Sequence, residues 1–475
     1  MNHHKSILEY ISDAVGMTPM VRLNKVPKDE GIACEIVAKC EFMNPGGSVK
    51  DRMAKEMFEA AEKEGRIRPG NTVIESTSGN AGIGMALMAA CKGYNMVITI
   101  PEKMSNEKIS VLKALGAEIH RTPSEAPTFS YDSNYMLARR IQEERKGSVI
   151  LDQYSNPNNP GAHYNHTGQE IYDQCQGKLD YVFAGAGTGG TVTGIAKKMR
   201  ELNPGVKIVG IDPYGSIMAQ PEELNTKICA YQVEGIGYDF IPESLDRSVI
   251  YAWVKTDDPE SLRLARDLIK KEGLLCGSSS GAVMEGAIKY LKQNGLDQKA
   301  ELRCVIILPD SIRNYLTKFV ADDWMVKKGF MNPKVLSLQN HPLFGKKISD
   351  LQLKQIPHYD DRLTISDALD EFARGEMAIP LIKEGKVNGI VTRLSILNGM
   401  IKKELSNSNS AAKAMTTDMV IVGIETDLSA IDSLLKNDDV VFVQKLNDKD
   451  RIQSLYGVTK LDLIKLLHRD TKELI

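Results

Sequence analysis

Along residues 36–308 the chain alternates between short apolar runs and longer segments whose apolar residues recur at helical spacing. Residues 36–40, 72–74, 96–100, 181–184, 207–211 and 304–308 are the apolar runs. Their length and composition predict buried strands. Residues 81–91, 107–115, 194–202 and 259–271 read as amphipathic helices. So do residues 49–64, where Met53, Met57, Phe58, Ala60 and Ala61 share one face. This βα alternation predicts an α/β fold on a mostly parallel, buried sheet. After Trp324 the texture changes. Residues 331–347 hold Pro333, Pro342 and Gly345 with no clear period, which predicts a linker. Beyond it, Gly389-Ile390-Val391-Thr392-Arg393-Leu394-Ser395 echoes Gly457-Val458-Thr459-Lys460-Leu461-Asp462. Each copy follows an apolar strand (378–382 and 440–443) and leads into a helix-like run, the mark of a pseudo-symmetric pair. The expected division is a domain over 1–330, a linker over 331–347, and a paired module over 348–475 with repeats at about 348–405 and 411–475.

Length, 475 residues, suits about three domain-sized units. A hydrophobic content of 42% and a charged content of 26% fit a globular protein with ample core. The formal net charge of −2 gives no reason to expect nucleic acid or an anionic membrane as partner. Seven scattered cysteines without a CxxC pair suit free thiols in a reducing compartment. No apolar run reaches membrane-spanning length, and the first ten residues lack a signal-peptide pattern. The cytoplasm is the expected location.

Four glycine- or serine-rich turns stand at junctions in this frame. In Asn44-Pro45-Gly46-Gly47-Ser48-Val49-Lys50-Asp51-Arg52, the proline and glycines mark a turn and Ser48 is a good N-cap. Lys50 falls in the first helical turn, where the helix dipole disfavours a cation. It is either a solvated lysine at a helix start or a reactive amine with a lowered pKa. The second turn is Glu75-Ser76-Thr77-Ser78-Gly79-Asn80-Ala81-Gly82. It is an anion-binding helix start or an ordinary N-cap turn. The third, Gly185-Ala186-Gly187-Thr188-Gly189-Gly190-Thr191, precedes Asp212 at the end of the next strand. That spacing satisfies the fingerprint of an NAD-dependent oxidoreductase. It also suits a compact phosphate cup or a mere tight turn. The fourth, Gly273-Leu274-Leu275-Cys276-Gly277-Ser278-Ser279-Ser280-Gly281, reads as a serine-rich helix start.

Together these strings resemble the fold-type II pyridoxal-phosphate enzymes, in particular the cysteine synthase and cystathionine β-synthase group. NPGGSVKDR is similar to the family's lysine motif over a long ungapped stretch. The resemblance implies a tryptophan synthase β-like catalytic core of two open α/β subdomains, with pyridoxal 5′-phosphate bound to Lys50. It implies that Thr77, Ser78, Asn80 and Ala81 hold the substrate α-carboxylate, Asn80 also bonding the cofactor's phenolic oxygen. The family usually has Thr where Ala81 stands, so an N–H remains, a hydroxyl is lost, and carboxylate affinity is expected to be altered. Gly187, Thr188, Gly189, Gly190 and Thr191 match the family's phosphate cup, which displaces the NAD reading. Ser279 is implied to hold the pyridine nitrogen. A serine does not fully protonate that nitrogen, which suits β-elimination and β-replacement over transamination.

Two runs choose within the group. Asp152-Gln153-Tyr154 and Glu234-Gly235-Ile236-Gly237-Tyr238-Asp239-Phe240 follow the cystathionine β-synthase form, as does Leu308-Pro309-Asp310-Ser311-Ile312-Arg313-Asn314-Tyr315. Cysteine synthases usually carry Phe where Tyr154 stands. By this resemblance Gln153, Gly237 and Tyr238 contact substrate, and Tyr154 assists departure of the β-hydroxyl or orients the acceptor thiol. The implied reaction joins L-serine or O-acetylserine to L-homocysteine, a hydro-lyase chemistry with sulfide-producing side reactions. A cysteine synthase using O-acetylserine and sulfide is the near alternative. Serine dehydratase, an NAD-dependent oxidoreductase and a non-catalytic scaffold are more distant. Animal members carry an N-terminal haem segment with Cys and His ligands. Here no cysteine precedes Cys34, so no haem and no metal are expected. The tail resembles an α+β tandem of CBS domains, the Bateman module, whose adenosyl-binding copies often use a GxxTxxD element. Copy one has Gly389 and Thr392 but Ser395 in place of the acid. Copy two has Thr459 and Asp462 but one residue fewer after Gly457, a slip that flips faces in a strand. Thr459 and Asp462 are the better regulatory candidates. Activation by S-adenosylmethionine is expected to be weak or absent, with the tail governing assembly or access to the active site. A homodimer acting on small amino-acid substrates is expected.

Overall fold

Every apolar run singled out above becomes a strand. The computed structural model describes residues 7–77, 79–102, 104–123, 126–351, 353, 355–401 and 404–472. In chain order the strands of the first part are β1 (Met20–Arg22), β2 (Glu35–Cys40), β3 (Thr72–Ser76), β4 (Asn95–Pro101), β5 (Glu118–Thr122), β6 (Val149–Ile150), β7 (Tyr181–Gly185), β8 (Lys207–Pro213), β9 (Ala252–Thr256) and β10 (Arg303–Leu308). They form two sheets, ordered β1-β2-β10-β7-β8-β9 and β5-β4-β3-β6. All pairings are parallel except β1 on β2. Alternate residues of β10 feed different cores. Cys304, Ile306 and Leu308 pack with Ile36, Phe183 and Ile211, whereas Val305 and Ile307 pack with Val182, Ala184 and Ile208. Both faces of the sheet are therefore covered, which is why its strands read as continuous apolar runs.

The chain divides into two compact units, Met1–Phe319 and Val320–Ile475. This boundary differs from the expected one at residue 330. Residues 331–347, expected to be a linker, hold a short helical turn, Pro333–Leu336. Leu336 and Leu343 are buried there with Val326, Leu428 and Ile431. The segment lacks a period because its anchors hang on irregular backbone, yet it is core. In the second unit, helix Ile365–Ala373, β11 (Ala378–Lys383), β12 (Lys386–Thr392) and helix Arg393–Ile401 are followed by a similar series. After the short strand β13 (Ile421–Gly423) come helix Leu428–Leu434, β14 (Val441–Leu446), β15 (Ile452–Val458) and helix Lys460–Lys472. Thr392 and Ser395 cap each other, Thr392 N–H to Ser395 Oγ at 2.9 Å. Thr459 N–H reaches Asp462 Oδ2 at the same 2.9 Å. The threonines therefore stand at equivalent places despite the shorter spacing after Gly457, and the lost residue is absorbed on the glycine side.

Candidate active site

The C-terminal ends of β2, β3, β7 and β10 feed loops into one cavity, where open parallel sheets bind their ligands. Lys50, Asn80, Ala81, Gln153, Gly187, Thr188, Gly189, Thr191, Tyr238 and Ser279 all line it.

Lys50 opens helix Lys50–Lys63. The turn before it is stitched to the chain after β10. Val49 N–H donates to Pro309 O at 2.8 Å and Ser311 N–H to Gly47 O at 3.1 Å. The Arg313 guanidinium donates to Gly46 O. Two residues beyond Lys50, buried Arg52 is clamped at 2.7 Å by Glu41 and by Glu170. The helix start is thus fixed from both sides. Lys50 Nζ lies 3.5 Å from Thr188 Oγ1. Surrounding protein desolvates this amine and pulls its pKa down to about 8, against the opposing pull of Asp310. Such a lysine keeps a usable neutral fraction, as a nucleophilic or basic amine requires.

The loop after β7 runs into helix Gly190–Leu202, with Gly189 at φ +84°. A Cβ on Gly187 would lie 2.4 Å from Gly235 O, and one on Gly190 2.0 Å from Asn159 Oδ1. Both positions require glycine. Asn159 Nδ2 donates to Thr188 Oγ1 at 2.9 Å, and Ser244 Oγ donates to Thr188 O. Thr191 Oγ1 lies 3.1 Å from His163 Nε2, whose Nδ1 meets Thr167 Oγ1 at 2.9 Å. Burial pushes His163 well below its ordinary range, with Lys50 and Arg52 adding to the effect, so the imidazole is neutral. The cup is a helix N-terminus with two hydroxyls and an amine, and no carboxylate lines the cavity among the described residues. That donor set fits a compact phosphate. Lys50 and the Ser279 hydroxyl, at the start of helix Ser278–Gln293, fit the aldehyde and ring nitrogen of pyridoxal phosphate.

The remaining predicted residues divide. Asn80 Nδ2 donates to Asp310 Oδ2 at 2.7 Å. Gln153 Nε2 donates to Ser76 O at 2.9 Å. Thr77 is fully buried, and its hydroxyl accepts from Gly79 and Gly82 N–H at 3.0 and 3.3 Å; it shapes the loop and does not line the cavity. Gly190, Gly237 and Tyr154 also stand off the lining, Tyr154 touching Tyr238 hydroxyl to hydroxyl at 3.4 Å. Gly237 N–H donates to Ala186 O at 2.8 Å. Ser78 lies outside the described residues. Asp212, the acid of the dinucleotide fingerprint, is buried and paired with Lys255 at 2.7 Å. It is committed inside the protein and cannot serve a ribose. The reading by motif gave no role to Asn159, His163, Ser244 or Asp310, which support the lining from elements distant in sequence.

The chain matches the family model for pyridoxal-phosphate dependent enzymes over residues 11–310. It is 46% identical over 443 residues to the cystathionine beta-synthase of Apis mellifera, covering 93% of this chain and 87% of that one. To the cystathionine beta-synthase of Dictyostelium discoideum it is 45% identical over 479 residues, covering 99% and 94%. Among solved structures it is similar to a hydrogen sulfide-producing enzyme of Fusobacterium nucleatum, with a TM-score of 0.60 and 34% identity over 65% of this chain and 100% of that one. A chain with this cup, this lysine and these relatives belongs to the pyridoxal-phosphate-dependent enzymes, in the cystathionine β-synthase family.

Proposed function

We infer that this protein condenses L-serine with L-homocysteine to L-cystathionine. The serine Cβ–O bond breaks, a Cβ–S bond forms and water leaves. The observation that carries this reading is the desolvated amine of Lys50 facing the glycine cup and Ser279 in one cavity. Pyridoxal phosphate, when bound, supplies the electron sink that lets the Cα proton and the β-substituent depart. Lys50, Asn80, Gly187, Thr188, Gly189, Gly190, Thr191 and Ser279 would hold it. Lys50 Nζ takes the proton from substrate Cα and later returns it to the same carbon. Ala81 N–H, the Ser78 region of the loop and Gln153 receive the substrate carboxylate. Tyr154 assists departure of the hydroxyl through Tyr238, which lines the cavity and meets it hydroxyl to hydroxyl at 3.4 Å. With L-cysteine in place of L-serine the Cβ–S bond of the donor breaks, homocysteine takes its place at Cβ and sulfide leaves, the accompanying side reaction.

The second unit is read as a tandem CBS module with a regulatory role, and Thr459 with Asp462 as its better ligand candidate. Their side chains already bond each other at 2.6 Å, which favours a structural cap and supports weak or absent response to S-adenosylmethionine. All seven cysteines are free, which supports a reducing compartment and a cytoplasmic site. No described helix is long and apolar enough to cross a membrane. A homodimer is the proposed assembly.

The test is a competition. Enzyme and pyridoxal phosphate are given serine and O-acetylserine with different isotopic labels, together with homocysteine and sulfide, and products are read by mass spectrometry. Cystathionine labelled from serine is expected. Cysteine without cystathionine would make the protein a cysteine synthase. Lys50→Ala is expected to abolish both turnover and the borohydride-reducible attachment of the cofactor.

A further inference from the structure

The Asn80 amide is gripped on both sides by one loop. Its Nδ2 donates to Asp310 Oδ2 at 2.7 Å, and its Oδ1 accepts from Asn314 Nδ2 at 3.0 Å. All three side chains are buried. A carboxylate oxygen facing the amide accepts, so the nitrogen must point to Asp310 and the oxygen to Asn314. One N–H is spent on Asp310, and one is left for the cavity that Asn80 lines. Asp310 is itself confined. Its Oδ2 also accepts from the Tyr315 hydroxyl. Its Oδ1 is buried without a hydrogen-bond partner among the described residues, and a Cβ on Gly277 would lie 2.0 Å from it. Asp310 also pairs with Ser48 in an isolated bridge, so one residue ties the Lys50 turn, the Asn80 loop and the start of the Ser279 helix together. Burial pushes the Asp310 carboxyl up, while Lys108 and the bonds from Tyr315 and Asn80 oppose this and Glu234 adds to it. Lys50 and Cys276 also feel its charge.

We propose that Asp310 is a positioning residue which, with Asn314, presets the Asn80 amide to offer an N–H and never its carbonyl oxygen to the phenolic oxygen of bound pyridoxal phosphate. The inference rests on the role given to Asn80 above. A free amide turns either edge to the cavity, and its oxygen edge would repel an anionic phenolate. Holding the nitrogen edge in place before binding removes that ordering cost from the binding step.

The test uses the full chain, stripped of cofactor and titrated with pyridoxal phosphate. Dissociation constants come from fluorescence, and the absorption maximum of the bound cofactor is read in parallel. Asn80→Ala and Asp310→Ala are each expected to weaken binding roughly tenfold, about 1.4 kcal/mol, and to shift the absorption maximum in the same direction. The double variant is expected to bind no more weakly than Asn80→Ala alone, the non-additivity of residues acting as one unit. Asp310→Asn, which keeps an acceptor oxygen for Asn80 and Tyr315, is expected to bind nearly as the parent does. Should Asp310→Ala fail to fold, Asn314→Ala with and without Asn80→Ala carries the same cycle. Additive losses, or an Asp310→Ala protein that binds and absorbs like the parent, would overturn the proposal. An Asn80→Ala protein without effect would overturn it too, since nothing would be transmitted. A parent chain that takes up no pyridoxal phosphate would overturn the functional reading as well, and is distinguishable from all of these.

Discussion

Tyr154 and Tyr238 meet hydroxyl to hydroxyl, 3.4 Å apart, with ring planes at 84°. Phe240 and Tyr135 close around Tyr154, with ring centroids at 5.4 and 6.0 Å. Edge-to-face packing of this kind fixes a ring and therefore the position of its oxygen. Burial holds the Tyr154 hydroxyl well above its ordinary range, so it is a neutral donor. Tyr154→Phe keeps the packing and removes the donor. With serine, kcat/KM is expected to fall about a hundredfold, the contribution of a positioned general acid. With O-acetylserine it is expected to change little, because acetate leaves without a proton. Equal losses with both donors would remove Tyr154 from leaving-group departure and leave it the acceptor thiol.

The cup makes a sharper steric prediction. At Gly190 a methyl would meet Asn159 Oδ1 at 2.0 Å, and Asn159 is the residue that holds Thr188 Oγ1. Gly190→Ala is expected to displace Asn159 and lower cofactor affinity by roughly tenfold or more, since close-packed neighbours cannot absorb such an overlap. Gly93 provides the control. It has φ +74°, and a methyl added there would have nothing within 4 Å. Gly93→Ala is expected to cost about 1 kcal/mol of stability from backbone strain and to leave cofactor content unchanged. Cofactor content per purified chain and urea midpoints separate the two.

Arg52 joins the lysine helix to the protein interior. Its guanidinium binds Glu41 and Glu170 through four contacts of 2.7–2.9 Å, and Lys39 adds a second cation at 2.7 Å from Glu170. Removing one member of a buried charge network strands the others. Arg52→Ala is expected to lose about 3–5 kcal/mol in urea unfolding. A loss under about 1 kcal/mol, usual for an exposed pair, would mean that the network does not carry the helix start.

What could be read from the residues, and what could not, follows from where the information sits. Residues 36–40 and 304–308 announced themselves because both faces of their sheet are buried. β5, Glu118–Thr122, did not, because it is a polar edge strand with only Thr122 buried. Helix Ser278–Gln293 showed only its serine-rich start. It is enclosed on nearly every side, so no amphipathic stripe remains to betray a period. The cup and the lysine turn were legible because backbone geometry restricts them to glycines and short strings. Asn159, Ser244 and Asp310 were not, because each acts on its partner from a distant part of the chain: Asn159 on Thr188, Ser244 on Thr188, and Asp310 on Asn80. No local pattern encodes such a contact. Thr77 shows the opposite case: its string matches a substrate loop, and in the structure its hydroxyl accepts from that loop's own N–H groups.

Glu75 ends as a carboxyl inside the protein, fully buried at the foot of the Asn80 loop. Its Oε1 accepts from Gln153 N–H at 3.1 Å, and its Oε2 has no partner among the described residues. Burial pushes its pKa from an ordinary 4.5 up to about 8, and Asp152 adds to this while the Gln153 N–H opposes it. Between those two values the folded chain holds a proton that the unfolded chain has released. Stability therefore falls as pH rises through the window, and the loss is complete above about 8. A glutamine at this position does not titrate. Glu75→Gln is expected to match the parent near the lower end of the window and to exceed it progressively toward the upper end, by on the order of a few kcal/mol. Urea midpoints across the pH series measure this. A difference between the two proteins that stays constant with pH would show that Glu75 is ionised in the fold, and that the loop beside it is held by a charge and not by a neutral acid.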